Sequence, residues 1–223
     1  MYIFFKRFFD ILASGIAILI LSPILIPIII GLRYTGEGHV WYKQERLGYR
    51  NNPFYIWKFA TMLKNSANMP GGYITVKKDP RLTPMGDFLR KSKINELPQL
   101  FNIFFGHMSV VGPRPVMKVS FQAYPENIKN VIYDVKPGLT GVGSIIFRDE
   151  EELITDVRNK GGDIHGFYVN QIYPHKGNLE LWYQKNKSLI LDFQIIILTA
   201  WVIFNPESKT YEKWFKDLPK RSF

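Results

Sequence analysis

Cysteine is absent from this chain of 223 residues. That excludes a disulfide framework, a cysteine zinc site and a thiol nucleophile, and it is compatible with a cytosolic face. Acidic residues are scarce: 19 Asp and Glu stand against 29 Lys and Arg, a net charge of +10. A basic surface prefers an anionic partner, whether nucleic acid, anionic lipid headgroups or a phosphorylated substrate. No internal repeat or low-complexity tract occurs, so repeat architectures are set aside. What is present is a globular composition, 46% apolar and 22% charged, which excludes disorder. The length suits one domain of ordinary size with a real core.

Charge is also missing from one stretch, Ile11 to Leu32, ILASGIAILILSPILIPIIIGL. Its 22 residues are enough to cross a bilayer, which takes about 20. A cleaved signal peptide has Lys6 and Arg7 in its favour, but the run is long and lacks a small-x-small cleavage site. A straight transmembrane helix is the simplest reading. A helix that enters and turns back is the third. Ser22-Pro23 sits at the midpoint and Pro27 follows, and proline removes a backbone donor. The serine hydroxyl can bond the freed carbonyl, making a break tolerable in lipid. Basic residues flank the run on both sides, with Arg33, Lys43 and Arg46 after it, so orientation by charge is a tie. Asp10 can pair with Arg7 one turn earlier. Residue physics alone leaves spanning and re-entrant helices even.

Beyond Arg33, HVWYKQERLGYRNNPFYIWKFATM alternates around a Gly-Tyr-Arg-Asn-Asn turn and predicts a β-hairpin. Met69 to Pro84 is dense in Pro and Gly and predicts loop. Pro98 predicts that two helices meet near 95–98, with Asn95 as N-cap of the second. Val111-Gly112-Pro113-Arg114-Pro115 fixes the backbone on either side of one arginine, a setting that suits bidentate phosphate binding. In isolation, an exposed loop arginine is the commoner meaning of such a pentapeptide. Lys136 to Gly143, KPGLTGVG, predicts a second rigid loop whose glycines permit close approach to a ligand. Asp149 to Glu152 is read as a solvated face or helix start. Ser188 to Phe204 is short and holds Asp192 and Gln194, so it predicts an amphipathic helix on the core or bilayer surface rather than a crossing.

Taken in order, these pieces resemble a family. Lys6-Arg7 and Asp10, the Ser-Pro-broken run, KQERLG, DPRLTPMGDFLRKSKINELPQLFN, MSVVGPRP and KPGLTG are similar to bacterial sugar transferases of the monotopic polyprenyl-phosphate phosphoglycosyl transferase kind. The resemblance covers roughly residues 3 to 204 and rests on short motifs, each weak singly, in a specific order. It implies an α+β, membrane-monotopic protein. A re-entrant helix broken at Ser22-Pro23 occupies residues 1–35, a mostly helical cytosolic domain residues 36–187, and an amphipathic helix with a basic tail residues 188–223. The site would be the cytoplasmic face of a bacterial inner membrane. The implied reaction moves a phospho-sugar from a UDP-sugar to undecaprenyl phosphate with release of UMP. That step begins a capsule, O-antigen or exopolysaccharide. A homodimer is left open, and nucleic acid is not an expected partner, because it leaves the apolar run unexplained.

The resemblance also implies site roles. Asn95-Glu96 stands where the family has Asp-Glu, whose aspartate is the nucleophile and whose second carboxylate helps hold Mg²⁺. Arg114 matches the arginine of the Pro-Arg-Pro turn, and Arg90 and Arg148 match phosphate contacts. A pyrophosphate is heavily anionic, so cations must screen it before a nucleophile approaches. Asn95 cannot form an acyl phosphate. Three possibilities follow: Glu96 is the nucleophile, the lipid phosphate attacks directly, or the chain is an inactive homologue that binds nucleotide sugar or lipid phosphate, or scaffolds. Lys58-Phe59-Ala60-Thr61-Met62 and the continuation Val142 to Phe147 also depart from the family pattern.

Overall fold

The structure, a computed structural model, describes residues 1–69, 79–205 and 207–223. It opens with α1, Tyr2–Tyr34, a helix of 33 residues containing both Pro23 and Pro27. At 1.5 Å per residue it is about 50 Å long. By length and composition it is able to cross a membrane. Most of its apolar side chains are exposed, Leu19 and Ile20 among them. The resemblance implied a break at Ser22-Pro23; both residues lie inside this helix, whose backbone remains helical through them. Proline at 23 deprives the Leu19 carbonyl of its donor four residues on. Ser22 Oγ supplies the replacement, donating to Leu19 O at 2.8 Å.

The predicted hairpin is present. β1, Trp41–Leu47, pairs with β2, Pro53–Phe59, around a 3₁₀ turn at Tyr49–Asn51. Arg50 and Asn51 there have φ of 54° and 59°, the left-handed region that such a turn demands. Residues 70–78 of the predicted loop lie outside the described residues; on its far side Met62 and Leu82 form an isolated bridge. Two short helices follow, α2, Gly86–Lys91, and α3, Gln99–Phe104, meeting at a 3₁₀ turn, Ile94–Glu96. Pro98 occupies the N-cap position of α3. Asn95 therefore is not its cap, a correction to the sequence reading.

Next come β3, Ser109–Val111, α4, Lys118–Gln122, α5, Glu126–Lys129, and β4, Gly138–Thr140. β3 and β4 are parallel, with Ser109 opposite Gly138 and Val111 opposite Thr140. Gly138–Thr140 within KPGLTG is thus a strand where a loop was predicted. Its glycines serve backbone packing: a Cβ on Gly138 would lie 2.1 Å from Gly112 N, and one on Gly141 would lie 2.3 Å from Gly112 O. The helices α6, Val142–Ile146, α7, Glu150–Asn159, α8, Ile164–Phe167, and α9, Tyr173–Asn186, follow. Between α8 and α9, Tyr168–Ile172 forms a π turn. Pro174 has no N–H to give, and a locally wider turn is one way to absorb that loss. Last are α10, Leu189–Phe204, capped by Ser188 Oγ on Leu191 N, and α11, Thr210–Trp214.

The chain forms two compact units. The first holds Met1–Phe9, Arg46–Phe54 and His107–Phe223; the second holds Asp10–Glu45 and Tyr55–Gly106. The first unit has its main core on Ile172, Leu179, Tyr183, Ile195 and Leu198. In the second, Leu25, Ile28 and Leu32 of α1 pack with Phe59 and Leu89. One correction falls on α10. It buries Leu191, Ile195, Leu198 and Val202, yet its outer face is also apolar, with Ile190, Ile197, Trp201 and Phe204 exposed. It is a helix with two apolar faces, not one apolar and one polar.

Candidate active site

The stretch Lys93 to Leu100 is shaped by strain and by packing. Lys93 adopts φ 59° and ψ 8°, an uncommon conformation for a residue with a Cβ. It ends α2 and opens the 3₁₀ turn, in which Glu96 N donates to Lys93 O at 3.0 Å. The side chains on either side of Asn95-Glu96, Ile94 and Leu97, pack against the apolar cluster of Leu25, Ile28, Leu32, Phe59 and Leu89. The turn is therefore seated on the C-terminal half of α1. Asn102 fixes the following helix to the hairpin: its Oδ1 accepts from Trp57 N at 2.9 Å and its Nδ2 donates to Tyr55 O at 2.8 Å.

Strand alternation places Lys58 between Trp57 and the buried Phe59. Lys58 Nζ reaches Glu96 Oε1 at 2.8 Å, and both side chains are about four-fifths buried. Asn95 is buried, and its Oδ1 has no hydrogen-bond partner among the described residues. A buried amide oxygen without a donor costs free energy, so it marks a position kept for something other than packing. Arg90 is half-buried on α2 in the same unit.

Arg114 belongs to the first unit. It is exposed between two buried prolines, Pro113 and Pro115. Tyr133, fully buried, pins the turn from behind: its hydroxyl donates to Arg114 O at 2.9 Å and accepts from Val116 N at 3.0 Å. Burial pushes the Tyr133 phenol well up from its ordinary value. Arg148, also in this unit, is exposed just after α6. On α9, Lys176 pairs with Glu150 at 2.6 Å. Burial pulls the Lys176 ammonium down, while Glu150 acts against it. Glu180, one turn further along α9, is buried; desolvation raises its carboxyl to about 8, and its Oε2 has no partner among the described residues.

The predicted residues thus fall into two groups. Arg90, Asn95 and Glu96 share the second unit, and Arg114 and Arg148 share the first. The predicted membrane-break residues Ser22 and Pro23 lie within α1. Among the described residues, no three of His, Asp and Glu gather as a metal site. The carboxylate oxygens that could hold Mg²⁺ at the turn are those of Glu96, with Asn95 Oδ1, which has no partner among the described residues, as a weaker donor beside it. One carboxylate completed by substrate phosphates and water is a usual arrangement for this ion, so Glu96 fits it. Sequence reading missed Lys58 and Tyr133. Lys58 had a signal, being a lone cation between aromatic residues of a strand, whereas Tyr133 had none.

Comparison with known proteins gives one family. A family profile described as bacterial sugar transferase matches residues 1–206. The chain is 33% identical over 201 residues to the UDP-glucose:undecaprenyl-phosphate glucose-1-phosphate transferase of Klebsiella pneumoniae, covering 88% of this chain and 39% of that protein. It is 32% identical over 214 residues to the undecaprenyl-phosphate galactose phosphotransferase of Salmonella typhimurium, covering 90% and 40%. It is 35% identical over 166 residues to the exopolysaccharide production protein ExoY of Rhizobium meliloti, covering 68% and 73%. The chain spans about two fifths of the length of the first two relatives.

Proposed function

The chain belongs to the bacterial sugar transferase family, and from that premise we propose that it transfers a phospho-sugar from a UDP-sugar to undecaprenyl phosphate, releasing UMP. The phosphorus–oxygen bond between sugar phosphate and UMP breaks, and the sugar phosphate ends on the lipid phosphate. The product is a lipid-linked diphosphate sugar, the first membrane-bound unit of a surface glycan.

One observation carries this reading. Glu96 is held by Lys58 on a strained turn whose flanking side chains pack on the C-terminal half of an apolar helix. A water-soluble donor and a lipid acceptor must meet at such a level. In this reading Glu96 is the working carboxylate, and Lys58 offsets its charge as anionic phosphates approach. Asn95 presents an amide oxygen beside it. Mg²⁺, when bound, would be held by Glu96 with Asn95 Oδ1 and would screen phosphate charge. Arg90, Arg114 and Arg148 bind phosphate oxygens, and the two-proline setting of Arg114 restricts its motion at low entropic cost.

The membrane placement follows the same logic. In this reading α1 enters the bilayer and returns to the same face about a proline kink at Pro23, its backbone remaining helical and the Ser22 hydroxyl satisfying the Leu19 carbonyl inside lipid. The outer face of α10 rests on the bilayer surface, where Trp201 suits the headgroup level. The remainder lies on the cytoplasmic face of the inner membrane.

Acceptor-dependent release of UMP is the direct test. Purified protein in detergent or nanodiscs, with Mg²⁺ and undecaprenyl phosphate, should release UMP from at least one UDP-sugar. Binding of UDP-sugar with no release across the common sugars would favour a non-catalytic homologue, for which the amide at 95 is the supporting observation.

A further inference from the structure

Residues 207–223 follow the segment that the family profile matches, yet they are built into the first unit. Phe215 and Leu218 are buried in its main core, and Phe215 lies 5.3 Å from the Trp182 ring. The segment then reaches the residues around Arg148. Arg221 forks onto Asp149, with Nη1 to Oδ1 at 2.7 Å and Nη2 to Oδ2 at 2.5 Å. Its guanidinium also lies 5.7 Å from the Phe147 ring centroid. Phe223 packs 6.3 Å from Phe147 and 5.9 Å from His175.

Arg148 therefore stands exposed between two neighbours that are held. Phe147 is buried among Phe223, His175, Lys176 and Arg221. Asp149 is gripped by Arg221, which holds its carboxyl below the usual range. Arg114 has the same arrangement, with buried prolines beside it and Tyr133 behind. In both places an exposed cation projects from a backbone fixed on either side. A bidentate arginine contact depends on angle as well as charge, so fixing the backbone determines whether the fork meets its phosphate.

We propose that Arg221 is a positioning residue for Arg148, acting through Asp149 and Phe147 to hold that arginine at the diphosphate of the nucleotide. The proposal rests on the phosphate role given to Arg148 above. A purely structural role for Arg221 predicts a loss of stability and an effect on binding that is independent of Arg148. A positioning role predicts an effect that vanishes once Arg148 is gone.

The test is a double-mutant cycle on UDP affinity, measured by titration calorimetry in detergent with Mg²⁺ on the full chain, Arg221→Ala, Arg148→Ala and the double variant. Arg221→Ala should weaken UDP binding by roughly tenfold, the scale of one charged hydrogen-bonding group. In the Arg148→Ala background the same change should do nothing further. Arg221→Lys, which keeps the charge and loses the fork, should recover only part of the affinity. Melting temperatures of the four proteins identify any variant that fails to fold, and in that case Asp149→Asn replaces Arg221→Ala in the cycle. If Arg148→Ala binds UDP as the parent does, the phosphate role of Arg148 fails and the proposal with it. If Arg148→Ala is weakened but Arg221→Ala is neutral or fully additive, the positioning role alone is overturned.

Discussion

Lys58 Nζ lies 2.8 Å from Glu96 Oε1, joining strand β2 to the turn that precedes α3. A largely buried ion pair of this kind does two things. It fixes the Glu96 rotamer, and it leaves an uncompensated charge when either partner is removed. Lys58→Met should therefore lower turnover by about 1–3 kcal/mol of transition-state stabilisation. Lys58→Arg should recover part of it. Steady-state UMP release over a range of UDP-sugar concentrations checks this, and a Lys58→Met enzyme with parental kcat/KM would remove the lysine from the site.

Tyr133 ties both ends of the Pro-Arg-Pro turn with one hydroxyl. Tyr133→Phe deletes that oxygen and leaves Val116 N and Arg114 O without it. The expected cost is about 1–2 kcal/mol of stability, the usual range for an unmade buried hydrogen bond. A rise in KM for the donor should accompany it, since Arg114 loses its backing. Chemical denaturation together with donor titration would show both effects; unchanged stability would mean that the prolines hold the turn unaided.

These two side chains show how far the residues alone could be read. The hairpin was legible because alternation and a Gly-Tyr-Arg-Asn-Asn turn are local signals. The meeting of two helices near Pro98 was legible for the same reason. The parallel pair β3 and β4 was not, because Ser109 and Gly138 are distant in sequence and three residues per strand leave no periodicity to detect. Asn95 was read as an N-cap because asparagine before a helix commonly is one. Pro98 took that position, and the amide oxygen of Asn95 was left buried without a partner among the described residues. For α10, Asp192 and Gln194 pointed to an amphipathic helix, but packing buries Asp192 and leaves the outer face apolar. Lys58 and Glu96 meet across 38 residues, a pairing that no spacing rule anticipates.

Glu180 gives a pH prediction. Burial raises its carboxyl from an ordinary 4.5 to about 8, opposed in part by Lys176. The folded state holds this proton more tightly than the unfolded chain does. The associated stability is fully present below pH 4.5 and is lost as pH rises through about 8, at about 1.4 kcal/mol per pH unit inside that window. Glu180→Gln keeps the shape and cannot ionise. Its stability relative to the parent should therefore increase from pH 6 to pH 9 in denaturant unfolding. A constant difference across that range would show that Glu180 does not titrate as proposed.

Pro23 and Ser22 carry the topology prediction. With α1 re-entrant, tags at residue 1 and residue 223 should both be protease-accessible in inside-out vesicles. Pro23→Ala restores a donor for the Leu19 carbonyl and should shift part of the population to a spanning helix. Ser22→Ala should destabilise the bent form by about 1 kcal/mol, as it removes the hydroxyl that satisfies that carbonyl. Tags on opposite sides in the parent would establish a spanning helix.

The claim at the centre is that Glu96 is the carboxylate on which transfer depends. Glu96→Gln changes one oxygen to nitrogen, keeps the volume, and makes a weak metal ligand and a poor nucleophile. Asn95→Asp is its companion. If the turn is an altered acid pair, that change should give a phospho-sugar adduct on residue 95 by intact mass and raise turnover. If the site is tuned around the amide, it should give little gain. The deciding measurement is acceptor-dependent UMP release by Glu96→Gln beside the parent, at matched protein stability. The account predicts parental release and a loss to background in the variant. Undiminished release by Glu96→Gln would contradict it.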